Sequence, residues 1–298
     1  MIRARFLGLI ASAALLAAAP ANALGDATTD ALDDALADAR ADTYVPATTA
    51  SVHRCGRVVW NGASGVRRLG SNVRVTPNTR FVIASVTKPI TAAMILQLVD
   101  AGRLSLDSPV AAYEPGLPNA RRITIRHLLS HTSGLPEYSP DDQIEELAER
   151  RPRHPFTRPE VLRTVGRPEA RPGARYEYVW TDGGVVSTAP DLANFTDALF
   201  DGRLISPERL AEMTTMGKGG YGFGIYKRTE GGRRWTGHDG YSGSGYEAEA
   251  WHDRSRDVTV TVLSSSSDPE ADDTNSSQIW SAVVRAYDRS PAERSPVC

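Results

Sequence analysis

Apolar positions along this chain change period several times. At Leu32, Ala35, Leu36 and Ala39 they recur every three or four residues, which predicts a weakly amphipathic helix over 27–42. Residues 50–68 read instead as two short strands, ASVHRCGRVVW and GASGVRR, with a turn at Asn61-Gly62. From Ile90 to Val99 the run is apolar almost all round, which marks a buried helix. Pro89 is tolerated only in a first turn and Gly102 is a natural stop, so that helix begins near Ser85. Residues 103–150 read as short helices and turns, and the Arg- and Pro-rich stretch 150–175 as loop with one short helix near Glu160–Val165.

Thr188-Ala189-Pro190-Asp191 combines a cap, an early proline and a first-turn acid, so a helix is predicted from there to about Phe200. Residues 221–228, 234–251 and 256–265 are strand-like, and DVTVTVL alternates cleanly. Residues 274–288 predict a closing amphipathic helix with Ile279, Val283 and Val284 on one face. Strands, then helices, then strands and a helix imply an α/β (α+β) fold. Its antiparallel sheet is built from both chain ends and flanked by helices, with a helical lobe over about 106–214.

The N-terminus changes the picture of where the chain works. Arg3 and Arg5 precede a short apolar stretch, and Ala21-Asn22-Ala23 is a small-residue cleavage site, so residues 1–23 read as a secretory signal peptide. That leaves one domain, 24–298, in a secreted or extracytoplasmic protein with no later membrane span. Hydrophobic residues at 41% and charged residues at 23% are ordinary for a soluble globular chain. A net charge of −2 gives no basic excess for nucleic acid. The Arg/Pro-rich stretch reads as a solvated connector. Cys55 and Cys298 are the only cysteines, and in an exported protein they could pair, although Cys298 is a chain end prone to fraying.

The candidate chemistry comes from the lysines. Lys and Arg total 34, yet only Lys88, Lys218 and Lys227 are lysine. Lys88 closes Ser85-Val86-Thr87-Lys88 at the head of the apolar helix. Residues three apart share a helical face, and a desolvated lysine can lose its proton where an arginine cannot. The helix N-terminus adds N–H groups for a developing oxyanion. A plainer alternative is a serine N-cap beside a lysine that reaches solvent.

Five segments taken together resemble the penicillin-recognising serine enzymes, specifically the exported D-alanyl-D-alanine carboxypeptidases and class C β-lactamase relatives. They are TRFVIASVTKPITAAMILQLVDAGRLSLDSPV, ITIRHLLSHTSGLPEY, RPGARYEY, GGVVSTAPDLANF, and YGFGIY with GHDGYSGSGY. The resemblance implies that fold and an exported hydrolase acting through an acyl-enzyme on an amide or ester, foremost as a D-alanyl-D-alanine carboxypeptidase or β-lactamase-like enzyme of weakened activity. It makes Ser85 the nucleophile, Lys88 its general base, Tyr178 a second proton shuttle and His238, in His238-Asp239-Gly240, the strand-motif residue. The Ser85 and Tyr241 N–H groups would form the oxyanion hole beside Gly240. Metal and organic cofactors are not called for. The substrate would be a cell-wall peptide, a β-lactam or an ester, and the protein a monomer.

Three features depart from the family. Tyr178-Val179-Trp180 lacks the family's Asn at the third place, and Tyr176 is a substitute for Tyr178. Gly183-Gly184 follows almost at once, so part of the helical lobe is missing. Asp239 stands where the family has Thr, so a substrate carboxylate would be repelled, by about 1–4 kcal/mol at close range. Tyr226 sits where related carboxypeptidases can place an Arg, and Lys227 or Arg228 would compensate only with a shifted strand. These departures favour substrates without a carboxylate, or a decayed relative that binds cell-wall peptide or a partner. Two further readings compete. His127 and His131 have the i, i+4 spacing of a helical metal pair, but Leu128, Leu129 and Ser130 stand between them, with no Glu. An α/β-hydrolase elbow fails because Gly240-Tyr241-Ser242-Gly243-Ser244 lacks the final Gly.

Overall fold

The computed structural model describes residues 21–135, 183–242, 245–265 and 275–294. One six-stranded antiparallel sheet organises them, in the order β2-β1-β8-β7-β6-β5. Its strands are β1 (Ala47–Arg54), β2 (Arg57–Gly65), β5 (Tyr226–Glu230), β6 (Arg233–Ser242), β7 (Tyr246–Asp253) and β8 (Val258–Ser265). The two ends of the chain meet where β1 pairs with β8, with Ala50 opposite Val262. A separate two-stranded sheet joins β3 (Phe81–Val82) to β4 (Val186–Ser187).

The alternation in β8 sorts two kinds of packing rather than inside from outside, because both faces are covered. Val258, Val260 and Val262 join the core cluster with α1 (Ala21–Asp42) and the C-terminal helix α6 (Asn275–Arg289). Leu32 and Leu36 of α1 and Ile279, Trp280, Val283 and Val284 of α6 fill that layer, each buried. Full burial of such a side chain is worth roughly 1.5–3 kcal/mol. The intervening Thr259 and Thr261 face α4 (Ala189–Phe200), where Thr261 Oγ1 donates to the Ala189 carbonyl at 2.9 Å. Asp197 of α4 is buried against the sheet, 2.6 Å from His53 Nδ1, and accepts from Thr259 Oγ1. That polar pin and the Thr188 cap, whose Oγ1 accepts from Asp191 N at 3.2 Å, fix the start and course of α4. Helix α2 (Thr87–Asp100) and α5 (Pro207–Met213) share a second apolar cluster with α4 through Ala92, Leu96, Leu199 and Met213.

Five sequence expectations are corrected. The first hairpin turns at Cys55-Gly56, with φ of 55° and 63°, and not at Asn61-Gly62. Asn61 lies inside β2 opposite Ser51, whose Oγ donates to Asn61 Oδ1 at 2.6 Å, so the ladder itself uses the asparagine. Residues 234–251 split into β6 and β7, and β5 starts only at Tyr226 because Gly222–Gly224 forms a turn. Helix α2 buries one face in the α4–α5 cluster and leaves Met94 62% exposed. Finally, α3 (Ile125–Leu129) ends before His131, whose φ of 55° takes it off the helix, so His127 and His131 do not share a face. Cys55 is disulfide-bonded, and Cys298 lies outside the described residues, as do the Arg/Pro-rich stretch and its expected short helix. Among the described residues no helix is long and apolar enough to cross a membrane.

Candidate active site

Ser85 sits in a single 3-10 turn, Ala84–Val86, between β3 and α2. Ala84 before it has φ 43°, a left-handed conformation that costs a Cβ-bearing residue on the order of 1–3 kcal/mol. Neighbours hold the turn: Ile83 N donates to the Val185 carbonyl at 3.0 Å, and Val185 N donates to Thr87 Oγ1 at 3.2 Å. The serine does not cap the helix, since neither the turn nor α2 has a side-chain cap. Lys88 Nζ instead lies 2.6 Å from Ser85 Oγ, one helical step along the same face. Both residues are only partly buried, so the pair is open to a substrate.

Two glycines make this approach possible. A Cβ on Gly240 of β6 would lie 2.4 Å from the Ile83 carbonyl oxygen and 3.0 Å from Ser85 N. Only glycine lets β6 run against the nucleophile turn, which brings the Ser85 N–H beside the strand. A Cβ on Gly224, at φ 68°, would lie 2.7 Å from the Lys88 carbonyl oxygen. It packs the Gly222–Gly224 turn onto the start of α2, while Gly224 N donates to the Leu129 carbonyl at 3.2 Å.

His238 lies two residues before Gly240, so its Cβ leaves the same face of β6. Tyr221 Oη is 2.8 Å from His238 Nε2, and His238 Nδ1 bonds the Asp239 carbonyl and stands 3.4 Å from its carboxylate. A backbone carbonyl can only accept, so Nδ1 carries the hydrogen and leaves Nε2 facing the Tyr221 phenol. Burial would raise the Asp239 carboxyl, but hydrogen bonds from His238 and Tyr226 hold it below the ordinary aspartate range. Burial, reinforced by the Asp239 charge, pushes the Tyr221 and Tyr226 phenols up, so both stay protonated. His131 stacks on Tyr221 with ring centroids 4.5 Å apart. It also lines a largely apolar cavity of about 260 Å³ beside Lys88, with Ile95, Ile125, Leu128 and Leu129.

The structure thus brings Ser85, Lys88 and Gly240 together, and continues the same strand to His238, Asp239 and Tyr241. Tyr178 and Tyr176 lie outside the described residues. Asp239, expected to confront a substrate carboxylate, also interacts with Tyr226 and His238 and remains 40% exposed. Arg228 offers no compensation there. It lies 3.2 Å from buried Glu249 and 4.4 Å over the Trp280 ring, on the α6 side of the sheet. His127 is a helix-capping residue, its Nδ1 accepting from Thr124 N at 3.1 Å. Tyr221 and His131 were the residues the sequence did not reveal as site neighbours. Both lie within quoted segments, YGFGIY and HLLSHTSGL, but nothing along the chain joins them to His238.

Comparison with known proteins gives the family and the fold. The chain matches the Beta-lactamase family profile over residues 32–178 and 150–283, so it belongs to that family. A penicillin-binding protein 4 from Amycolatopsis lactamdurans is 49% identical over 78 residues, 24% of this chain and 20% of that protein. Esterase EstB from Burkholderia gladioli is 40% identical over 92 residues, 29% of this chain and 24% of that one. These matches therefore span about a fifth to a quarter of each relative's length. A D-amino acid amidase from Ochrobactrum anthropi SV3 shares the fold with a TM-score of 0.70 at 20% identity, covering 86% of this chain and 97% of that one. A D-stereospecific amidohydrolase from Streptomyces sp. does so with a TM-score of 0.68 at 24% identity, over 87% and 98%.

Proposed function

We propose that the protein is an exported serine hydrolase that forms an acyl-enzyme at Ser85, acting as a monomer on a small ester or amide that carries no carboxylate near Asp239. The 2.6 Å contact between Lys88 Nζ and Ser85 Oγ carries this reading. Neutral Lys88 takes the Ser85 proton as Oγ bonds to the substrate carbonyl carbon. The Ser85 N–H, with that of Tyr241 beyond Gly240, stabilises the oxyanion. The bond to the leaving group then breaks, and the leaving group takes the proton from the Lys88 ammonium. Lys88 next accepts a proton from the attacking water and returns it to Ser85 Oγ as the acyl–Oγ bond breaks and the acid leaves.

His238 holds the Tyr221 phenol at the edge of this site, and Tyr178 would be the second shuttle the resemblance implies. The apolar cavity beside Lys88 suits an uncharged acyl or leaving group. An anionic Asp239 opposes the carboxylate of a D-alanyl-D-alanine terminus, so carboxypeptidase or β-lactamase turnover is the weaker side of the activity. Relatives described as an esterase and an amidase support ester and amide substrates. The disulfide at Cys55 supports export, since such bonds persist in oxidising compartments.

Steady-state hydrolysis of p-nitrophenyl acetate, a D-phenylalanine amide and a D-Ala-D-Ala peptide tests the substrate class. The expected order puts the ester and the amide first. A kcat/KM for the D-Ala-D-Ala peptide above both would overturn it.

A further inference from the structure

A concave surface among the described residues lies away from Ser85. It is a cleft of about 520 Å³ between the β5–β6 hairpin and the turn that follows β7. Four cationic side chains line it, Lys227, Arg233, Arg234 and Arg254. Lys227, Arg234 and Arg254 are exposed and have no carboxylate partner among the described residues. Arg233 is 3.6 Å from Glu293. The lining carboxylate, Asp253, is already saturated: Oδ1 accepts from Ser255 N and Ser255 Oγ, and Oδ2 from Arg256 Nε at 2.6 Å.

We propose that this cleft is a binding site for a phosphoryl dianion or diphosphate-like group. Three free cations and a shared fourth match two to three negative charges, where a single carboxylate would leave most of them uncompensated. Arginine guanidinium groups present paired N–H donors that suit tetrahedral oxyanions, and Lys227 adds a point charge. The cross-strand register sets Lys227 opposite Thr236 and Arg234 opposite Thr229, so the cations project from adjacent strands toward one space. Thr236 borders the same space and offers a hydroxyl.

Placement adds a functional consequence. Arg234, Thr236, His238 and Gly240 alternate with Trp235, which is buried in the α1–α6 core, so all four leave the site's face of β6. Arg234 lies four residues from His238, roughly 13 Å along the strand. A ligand with its phosphoryl end in the cleft would extend along β6 toward the nucleophile. The site does not depend on the Ser85 chemistry and can be tested apart from it.

Isothermal titration of the full chain with pyrophosphate, orthophosphate and citrate, at low and at physiological salt, tests the proposal. The doubly substituted Arg234→Glu, Arg254→Glu protein and Ser85→Ala serve as comparators. Pyrophosphate is expected to bind at both salt concentrations, more tightly than citrate. The double variant should lose at least tenfold, and Ser85→Ala should bind as the unsubstituted protein does. Orthophosphate binding as well as pyrophosphate would identify a single phosphoryl group as sufficient. The proposal is overturned by no pyrophosphate binding at millimolar concentration, by citrate binding equally well, or by an unchanged double variant with an unshifted thermal midpoint.

Discussion

Tyr221 Oη lies 2.8 Å from His238 Nε2, and these two residues close the far side of the site that Ser85 and Lys88 open. With Nδ1–H committed to the Asp239 carbonyl, the ring offers Nε2 to the phenol alone. The phenol in turn is braced by the stacked His131 ring.

Removing that hydroxyl, as Tyr221→Phe, leaves the stack and frees the imidazole. Ester hydrolysis is expected to fall by roughly 10²-fold in kcat, at the low end of acid–base effects, with KM little changed. An unshifted thermal midpoint would separate this from a purely structural loss. An unchanged kcat would remove Tyr221 from the proton network.

Gly240→Ala should be worse for chemistry than for folding. The new methyl would overlap the Ile83 carbonyl and crowd Ser85 N, so the turn must move away from β6. Losing one oxyanion donor typically costs about 10²–10³ in kcat. Full activity with an intact circular dichroism spectrum would show that Ser85 N does not serve the oxyanion.

Much of this arrangement was legible in the chain, and the misses have physical reasons. Pro89, the all-apolar run and Gly102 located α2, and the Thr188 cap located α4, because both signals are local. Ser85 and Lys88 were separable from a cap and a solvated lysine only through the resemblance. The fold then showed Oγ facing Nζ. The Asn61-Gly62 turn failed because that pair tolerates a strand when Ser51 across the ladder satisfies the asparagine. For Asp239 the sequence shows the charge but not that Tyr226 and His238 reach it. The Tyr221–His238 contact was invisible because a glycine turn and a hairpin, not a motif, bring the two together.

Glu249 gives a stability prediction. It is wholly buried, and burial pushes its carboxyl up to about 8 despite the Trp251 hydrogen bond and Arg228. The folded state therefore holds a proton that the unfolded chain releases near 4.5, and stability falls as pH rises through 4.5–8. His252 acts in the opposite sense. Burial lowers it from 6.5 to about 4, so it costs stability as pH drops through 6.5–4. The two oppose each other below 6.5, which leaves 6.5–8 as the window where Glu249 dominates. Thermal midpoints for Glu249→Gln should lack the decline that the unsubstituted protein shows there. Parallel curves would contradict a protonated Glu249.

The central claim is that Lys88 activates Ser85 for acyl transfer. Intact-mass spectrometry after incubation with a fluorophosphonate, and separately with a penicillin, tests it most directly. Ser85→Ala and Lys88→Arg are the controls, the latter because arginine keeps its proton. The account predicts one fluorophosphonate adduct that disappears in Ser85→Ala and forms at least 10²-fold more slowly in Lys88→Arg. It predicts slower penicillin labelling, because Asp239 opposes the carboxylate. A folded protein that takes up neither probe, or one labelled equally well without Ser85, would contradict it.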